Sequence, residues 1–162
     1  MMAGQTSDGR PPHVLLVEAP YYTHIAALLR EGASKALSAA GATFEVVQVP
    51  GAFEIPGAIG MAAKAGGFDG YVALGCVIRG ETTHYDHICE ETAHWLQRLA
   101  VEHGLAIGYG ILTCENEAQA LARATPGDNG RDKGGEATNA CLAMIGVKRR
   151  FGSAEQLAGA TE

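Results

Sequence analysis

The chain has 162 residues, of which 47% are apolar and 19% charged, and it carries a net charge of −6. That length suits one domain with a substantial core, and the acidic balance excludes the basic surface on which non-specific nucleic-acid binding depends. No apolar run approaches the roughly 20 residues of a membrane helix, and Met1–Pro12 lacks the apolar middle of a secretory leader, so a cytoplasmic protein with no membrane partner is expected.

Residues Met1 to Pro12 are polar, contain two prolines and are expected to be a loose N-terminal segment. His13 to Ala19 (HVLLVEA) reads as a strand, stopped by Pro20. From Thr23, a residue that can cap, Ile25, Leu28, Leu29, Ala33, Ala36, Leu37 and Ala40 recur at helical spacing until Gly41. Thr43 to Val49 is a second strand, closed by Pro50-Gly51, and a second helix is expected from about Pro56. Tyr71 to Ile78 is a near-continuous apolar run, as expected of a strand covered on both faces. The longest helix is predicted from Thr83 to about His103, with Ile88, Ala93, Trp95, Leu96 and Leu99 in the core. Leu105 to Thr113 is the fourth strand and Glu115 to Ala124 a short helix. The Gly-rich stretch TPGDNGRDKGG then reads as a loop before a last helix, Glu136 to Phe151, with Ala137, Ala140, Cys141, Met144 and Ile145 facing inward. The tail from Gly152 is expected to fray.

Strands and helices alternate without repeats or a linker. That predicts an α/β fold, a four-stranded parallel sheet with helices on both faces, as a single domain over residues 13–151 between the loose N-terminus (1–12) and the C-terminal tail (152–162). Ligands of such sheets bind outside the carboxyl ends of the strands. Ala19–Tyr22, Pro50–Ile55, Ile78–His84 and Thr113–Asn116 fall there, and the unusual chemistry of the chain is concentrated in them.

The richest stretch is Gly75 to Glu91, GCVIRGETTHYDHICEE. A strand running directly into a helix leaves free backbone N–H groups at its tip, with the helix dipole behind them, and so offers an anion site. Thr82 or Thr83 can cap the helix. His84 stands at the same tip, and imidazole is the side chain best suited to move protons near neutrality. A satisfied structural histidine is the plain alternative; the position favours catalysis. The stripe His87, Glu91 and His94 lacks an H-E-x-x-H pattern, so no metal is expected. Neither G-x-G-x-x-G after the first strand nor a P-loop is present. Cys76, Cys89, Cys114 and Cys141 form no C-x-x-C pair and fit reduced packing thiols. Tyr21, Tyr22, Phe53 and Tyr109 are core aromatics by default, although flat rings at a strand-end cleft can stack on a heterocycle.

Four stretches, PGAFEIP (Pro50–Pro56), GCVIRGETTHYDHICEE (Gly75–Glu91), GILTCENEAQALAR (Gly110–Arg123) and DKGGEA (Asp132–Ala137), resemble in order and spacing the 6,7-dimethyl-8-ribityllumazine synthase family of riboflavin biosynthesis. The resemblance spans His13 to Phe151 and implies a flavodoxin-like three-layer αβα sandwich. It also implies an enzyme that condenses 5-amino-6-(D-ribitylamino)uracil with 3,4-dihydroxy-2-butanone 4-phosphate, releasing phosphate and water, without a metal or organic cofactor. By motif position it makes Tyr21 the aromatic that stacks on the pyrimidine, and Phe53, Glu54 and Ile55 the grip on the ribityl chain and ring edge. Cys76, Val77 and Ile78 become the strand end that reads the ring through backbone groups. Gly80, Glu81, Thr82 and Thr83 become the phosphate loop, Arg123 its counter-charge and His84 the general acid/base. Lys133 lies near the polyol and phosphate, and Tyr109 in the pocket wall. The resemblance implies a homo-oligomer in which Arg123, Lys133 and Tyr109 come from the neighbouring chain. The Pro126-bearing loop Thr125–Lys133, slightly longer than in shell-forming members, favours a pentamer over an icosahedral 60-mer. Where the family often has Arg-aromatic-Asn this chain has Pro20-Tyr21-Tyr22, and Cys114 replaces a common Thr.

Overall fold

The computed structural model describes residues 9–128 and 130–159, with side chains through residue 152. The elements are β1 (His13–Glu18), α1 (Thr23–Ala39), β2 (Thr43–Gln48), a 3-10 turn (Ala52–Glu54), α2 (Ile55–Ala65), β3 (Gly70–Ile78), α3 (His84–His103), β4 (Ile107–Cys114), α4 (Glu117–Ala124) and α5 (Lys133–Gly159). All strand pairs are parallel and the order is β2-β1-β3-β4. Most of the looseness expected of residues 1–12 concerns residues outside the description. Among the described residues no helix is long and apolar enough to cross a membrane.

Side chains alternate across the strands, so each central strand feeds two cores. Val14, Leu16, Val72 and Leu74 pack with Ile25, Leu29, Ala33 and Leu37 of α1, Ala120 and Ala124 of α4, and Cys141 and Ile145 of α5. On the opposite face Leu15, Val17, Tyr71 and Ala73 pack with Ile55 and Ile59 of α2 and Leu96 of α3. These are the three expected layers, with α1, α4 and α5 on one side and α2 and α3 on the other. At the end of β1 the Glu18 carboxylate is 2% exposed. It accepts from both Nε (2.8 Å) and Nη2 of Arg30 on α1 and from Gln48 Nε2 on β2 (2.7 Å). A buried charge is tolerated when paired in this way.

Several expectations are corrected. Trp95 is 45% exposed, with Arg98 stacked 4.5 Å over its ring, and the buried α3 positions are Thr92 and Leu96. On α5, Met144 and Ala140 face outward, and Gly134, Ala137, Thr138, Cys141 and Ile145 inward. That helix continues to Gly159, because Ala154, Glu155, Gln156 and Leu157 are good helix formers and one Gly at 152 costs only about 1 kcal/mol. It also begins earlier, at Lys133, so the last residues of the Gly-rich stretch are helix rather than loop. Asp132, at φ 43°, turns the chain, and its Oδ1 accepts the Gly135 N–H at 3.1 Å. The glycine at 134 is required by close packing, since a Cβ there would lie 2.1 Å from the Leu29 carbonyl oxygen of α1.

Two glycines in this one helix should therefore respond with opposite signs. Gly134→Ala should destabilise by about 1–3 kcal/mol through overpacking against α1. Gly146→Ala, whose added methyl would meet nothing within 4 Å, should stabilise by about 0.5–1 kcal/mol through helix propensity. Denaturant melts of the two variants check this.

Candidate active site

The site begins with a stagger in the sheet. Pairing of β1 with β3 ends at Glu18 opposite Leu74, whereas pairing of β3 with β4 continues to Ile78 opposite Cys114. Beyond the Ala19 N–H to Leu74 carbonyl bond (2.9 Å), β3 runs on along β4 alone. The Arg79 N–H donates to the Cys114 carbonyl at 2.9 Å, so odd-numbered residues of this strand bond toward β4. Alternation turns the N–H and C=O of Cys76 and Ile78 to the other side, where the ladder with β1 has ended. A bare strip of peptide donors and acceptors thus faces outward at the point where strand order reverses, which is where open α/β sheets hold ligands.

That strip forms one wall of a cleft of about 630 Å3 lined by Tyr21, Tyr22, Pro50 to Glu54, Cys76, Val77, Ile78, His84 and Ile88. Pro20 ends β1 and leaves Tyr21 74% exposed, edge-to-face with Tyr22 at 5.0 Å between centroids. The 3-10 turn presents Phe53, 58% exposed, from the opposite side, with Glu54 beside it. Two large aromatic faces and a peptide edge suit a flat, polar-edged heterocycle. Ile55, next in sequence, is fully buried and anchors α2 in the core.

Between β3 and α3, Gly80, Glu81, Thr82 and Thr83 are all exposed, and they connect the lining residues Ile78 and His84 without lining the cleft themselves. The helix begins at His84 without a side-chain cap from Thr83, and the Thr82 hydroxyl accepts the His84 N–H at 3.3 Å. The Asp86 and His87 N–H groups donate to the Thr83 carbonyl at 3.1 and 3.3 Å, so what this end offers an anion is chiefly the positive end of the α3 dipole. The exposed His84 side chain lines the same cleft.

Three candidates stand apart from this cleft. Tyr109, on edge strand β4, is half-exposed, and burial beside α3 raises its phenol above the ordinary value. Arg123 is on α4, its Nη1 donating to the Gln119 carbonyl at 3.1 Å. Lys133 opens α5, paired with Glu136. The fourth strand end, Thr113–Asn116, does not line the cleft either. Sequence reasoning did not single out Ile88, Gly51 or Ala52 as wall residues; Ile88 carried a signal, one helical turn after His84 on α3, but read as core. Arg79 was also passed over, although it is the only cation between the strand and His84.

The thiols are held protonated. Burial pushes Cys76 and Cys141 up to about 12 and raises Cys89 and Cys114. Burial likewise raises the Tyr22 phenol, leaving a neutral hydroxyl at the cleft wall. A second groove of about 450 Å3 lies between α1 and edge strand β2, but its charged floor, Glu18, Arg30 and Gln48, is already mutually paired. Among the described residues no three His, Cys, Asp or Glu side chains stand close enough to hold a metal ion.

The profile of the 6,7-dimethyl-8-ribityllumazine synthase family matches residues 11–149. The 6,7-dimethyl-8-ribityllumazine synthase of Sphingopyxis alaskensis is 54% identical over 140 residues, covering 86% of this chain and 97% of that one. The protein named 6,7-dimethyl-8-ribityllumazine synthase 1 of Rhizobium meliloti is 52% identical over 149 residues, 89% and 96% of the two chains. That of Agrobacterium fabrum is 51% identical over 146 residues, 87% and 97%. With a flavodoxin-like α/β fold, a strand-end cleft of matching chemistry and this extent of identity, the chain belongs to the 6,7-dimethyl-8-ribityllumazine synthase family.

Proposed function

We propose that the lumazine synthase activity of the family, a step of riboflavin biosynthesis, is seated in the cleft at the end of β3. The pyrimidine of 5-amino-6-(D-ribitylamino)uracil stacks on Tyr21 and sets its polar edge against the strand end Cys76–Ile78, meeting the open peptide groups of Cys76 and Ile78 while those of Val77 stay bonded to β4. Phe53, Glu54 and the peptide of Ile55 grip the ribityl side. 3,4-Dihydroxy-2-butanone 4-phosphate places its phosphate on the Gly80–Thr83 loop, in front of the α3 amides, with Arg123 as counter-charge.

The amine nitrogen adds to the ketone carbon, and loss of water gives an imine. Removal of a carbon-bound proton then expels phosphate with its bonding electrons. The enol left behind passes its hydroxyl proton to the terminal carbon, which becomes a methyl group, and so becomes a ketone. The second nitrogen closes the ring on that new carbonyl, and a further water leaves. Every step moves protons or releases an anion, and His84 is the group placed to carry protons between them. The observation that carries the reading is the juxtaposition of the bare backbone strip of β3 and the exposed His84 in one cleft.

Tyr109, Arg123 and Lys133 fit this chemistry from a neighbouring subunit, and we take the active form to be a homo-oligomer, a pentamer. Support comes from the absence of these three side chains from the lining of their own cleft and from the large apolar side chains left in solvent by the single chain: Met61, Trp95 and Val101 on α2 and α3. Light scattering coupled to size-exclusion chromatography should give the mass of five chains; a megadalton particle would overturn the isolated pentamer, and a monomer the shared site.

Mixing the protein with both substrates should generate lumazine absorbance and fluorescence. His84→Ala should lower kcat by about 10²–10⁴-fold, the usual contribution of a positioned acid/base. Arg123→Ala should raise KM for the butanone phosphate about tenfold or more, as loss of a charge-assisted pair predicts, and leave pyrimidine affinity near its original value. Because no thiol takes part, iodoacetamide at pH 8 should leave Cys76 and Cys141 of the native protein unalkylated, read by peptide mass spectrometry. Alkylation at the rate of a free thiol would contradict the burial-raised values.

A further inference from the structure

Arg79 follows the last residue of β3 and precedes the phosphate loop, and its backbone N–H, Nε, Nη1 and guanidinium face are all engaged. Its backbone N–H closes the final rung to the Cys114 carbonyl at 2.9 Å. Its Nε donates to Glu115 Oε2 at 2.9 Å and Oε1 at 3.2 Å. Its Nη1 reaches Asp86 of the first α3 turn at 3.3 Å, and its guanidinium lies 4.3 Å over the Tyr85 ring. From Glu115 the connection continues. The Glu115 N–H donates to Gln119 Oε1 at 2.9 Å, Asn116 caps α4 by accepting the Gln119 N–H at 2.9 Å, and the Gln119 carbonyl accepts Arg123 Nη1 at 3.1 Å. One planar fork thus joins the end of β3, the start of α3 and the turn that leads to Arg123. A lysine ammonium, with no flat face and no fixed fork, cannot hold two carboxylates and a ring together.

We propose that Arg79 is a positioning residue for the phosphate end of the site: it holds the Gly80–Thr83 loop and the β4–α4 turn in place and does not itself contact substrate. The proposal rests on the phosphate assignment made above and extends it. The charges around Arg79 argue against a direct role. A phosphate reaching this guanidinium would also meet Glu115 and Asp86, both within salt-bridge distance of it, so the cluster as a whole carries no positive charge to offer. The cationic partner for phosphate is then Arg123 of the neighbouring subunit, whose own turn is braced in the same way through its Glu115. Within one chain the side-chain brace thus serves two phosphate sites, its own through the Gly80–Thr83 loop and a neighbour's through Arg123, while the Cys76 and Ile78 peptide groups are held by the β3–β4 ladder, so the effect of breaking the brace falls on phosphate.

The test uses inorganic phosphate as a competitive inhibitor, with KM for each substrate, in the full-length wild type and in Arg79→Lys, Arg79→Gln, Glu115→Gln and Arg123→Ala. Positioning predicts that the Arg79 variants raise phosphate Ki and the butanone-phosphate KM about fivefold or more, while pyrimidine KM stays within about twofold. Glu115→Gln is decisive in sign. It removes a negative charge near the phosphate and frees Arg79, so a direct ligand would bind phosphate more tightly, whereas a brace that loses its anchor weakens phosphate binding. Tighter phosphate in Glu115→Gln, unchanged phosphate Ki in both Arg79 variants, or equal losses on the two substrates would each overturn the proposal. If phosphate fails to compete in the wild type, or Arg123→Ala leaves its Ki unchanged, the phosphate assignment itself fails, a result distinct from failure of the brace.

Discussion

The structure depends on unequal pairing of one strand. β3 is bonded on both sides along its first half and on one side along its second. The double pairing buries it and makes it the rigid member of the sheet. The single pairing leaves peptide groups unpartnered at its carboxyl end, where burial without a partner would cost stability. Two continuations satisfy them: water in the free protein, or the polar edge of a flat ligand. Because these groups are fixed by the strand, a ligand meets donors and acceptors already in position and pays little to order them. Tyr21, the 3-10 turn and His84 then follow from where the chain leaves β1, turns after β2 and enters α3.

The alternation of elements was legible in the sequence because the apolar runs at His13, Thr43, Tyr71 and Leu105 are separated by helical spacing and Gly or Pro stops. The strand-end placement of the chemistry followed from that alternation. The stagger between β1 and β3 was not legible, since it depends on the length of each strand relative to its neighbour, a property of pairing rather than of either segment. Trp95 was misplaced because spacing along α3 does not say how far the helix extends beyond the sheet it covers. The glycines at 134 and 135 read as a loop because close approach of two helices and turn flexibility call for the same residue. Arg79 escaped notice for a related reason: a single cation in a motif says nothing of which carboxylates surround it, and those lie 7 and 36 positions away.

The distribution of charge gives a physical reason for the proposed sharing of the site between chains. The protein carries a net charge of −6, and its substrate brings a phosphate. Local cations must outweigh that background, and the described cleft of one chain supplies aromatic faces, peptide edges and an imidazole but neither Arg nor Lys. Arg123 and Lys133 are held on α4 and α5, outside the cleft lining. In the proposed homo-oligomer, assembly of copies would bring the two halves together, so that the anion would be bound only where subunits meet. An acidic chain can in this way hold a phosphorylated substrate without a basic surface that would attract other polyanions.

The chemistry also accounts for what the cleft lacks. A reaction of imine formation, elimination and cyclisation needs its partners held close and protons moved, and orientation alone is worth several orders of magnitude in rate. A reactive thiolate in the wall would compete with the amine for the electrophilic ketone. Cys76 stands in that wall, and its burial, which raises it to about 12, keeps it in the unreactive form at neutral pH. The same burial that packs β3 into the core thus guards the proposed site against a side reaction, while His84 stands exposed where the strand gives way to the helix.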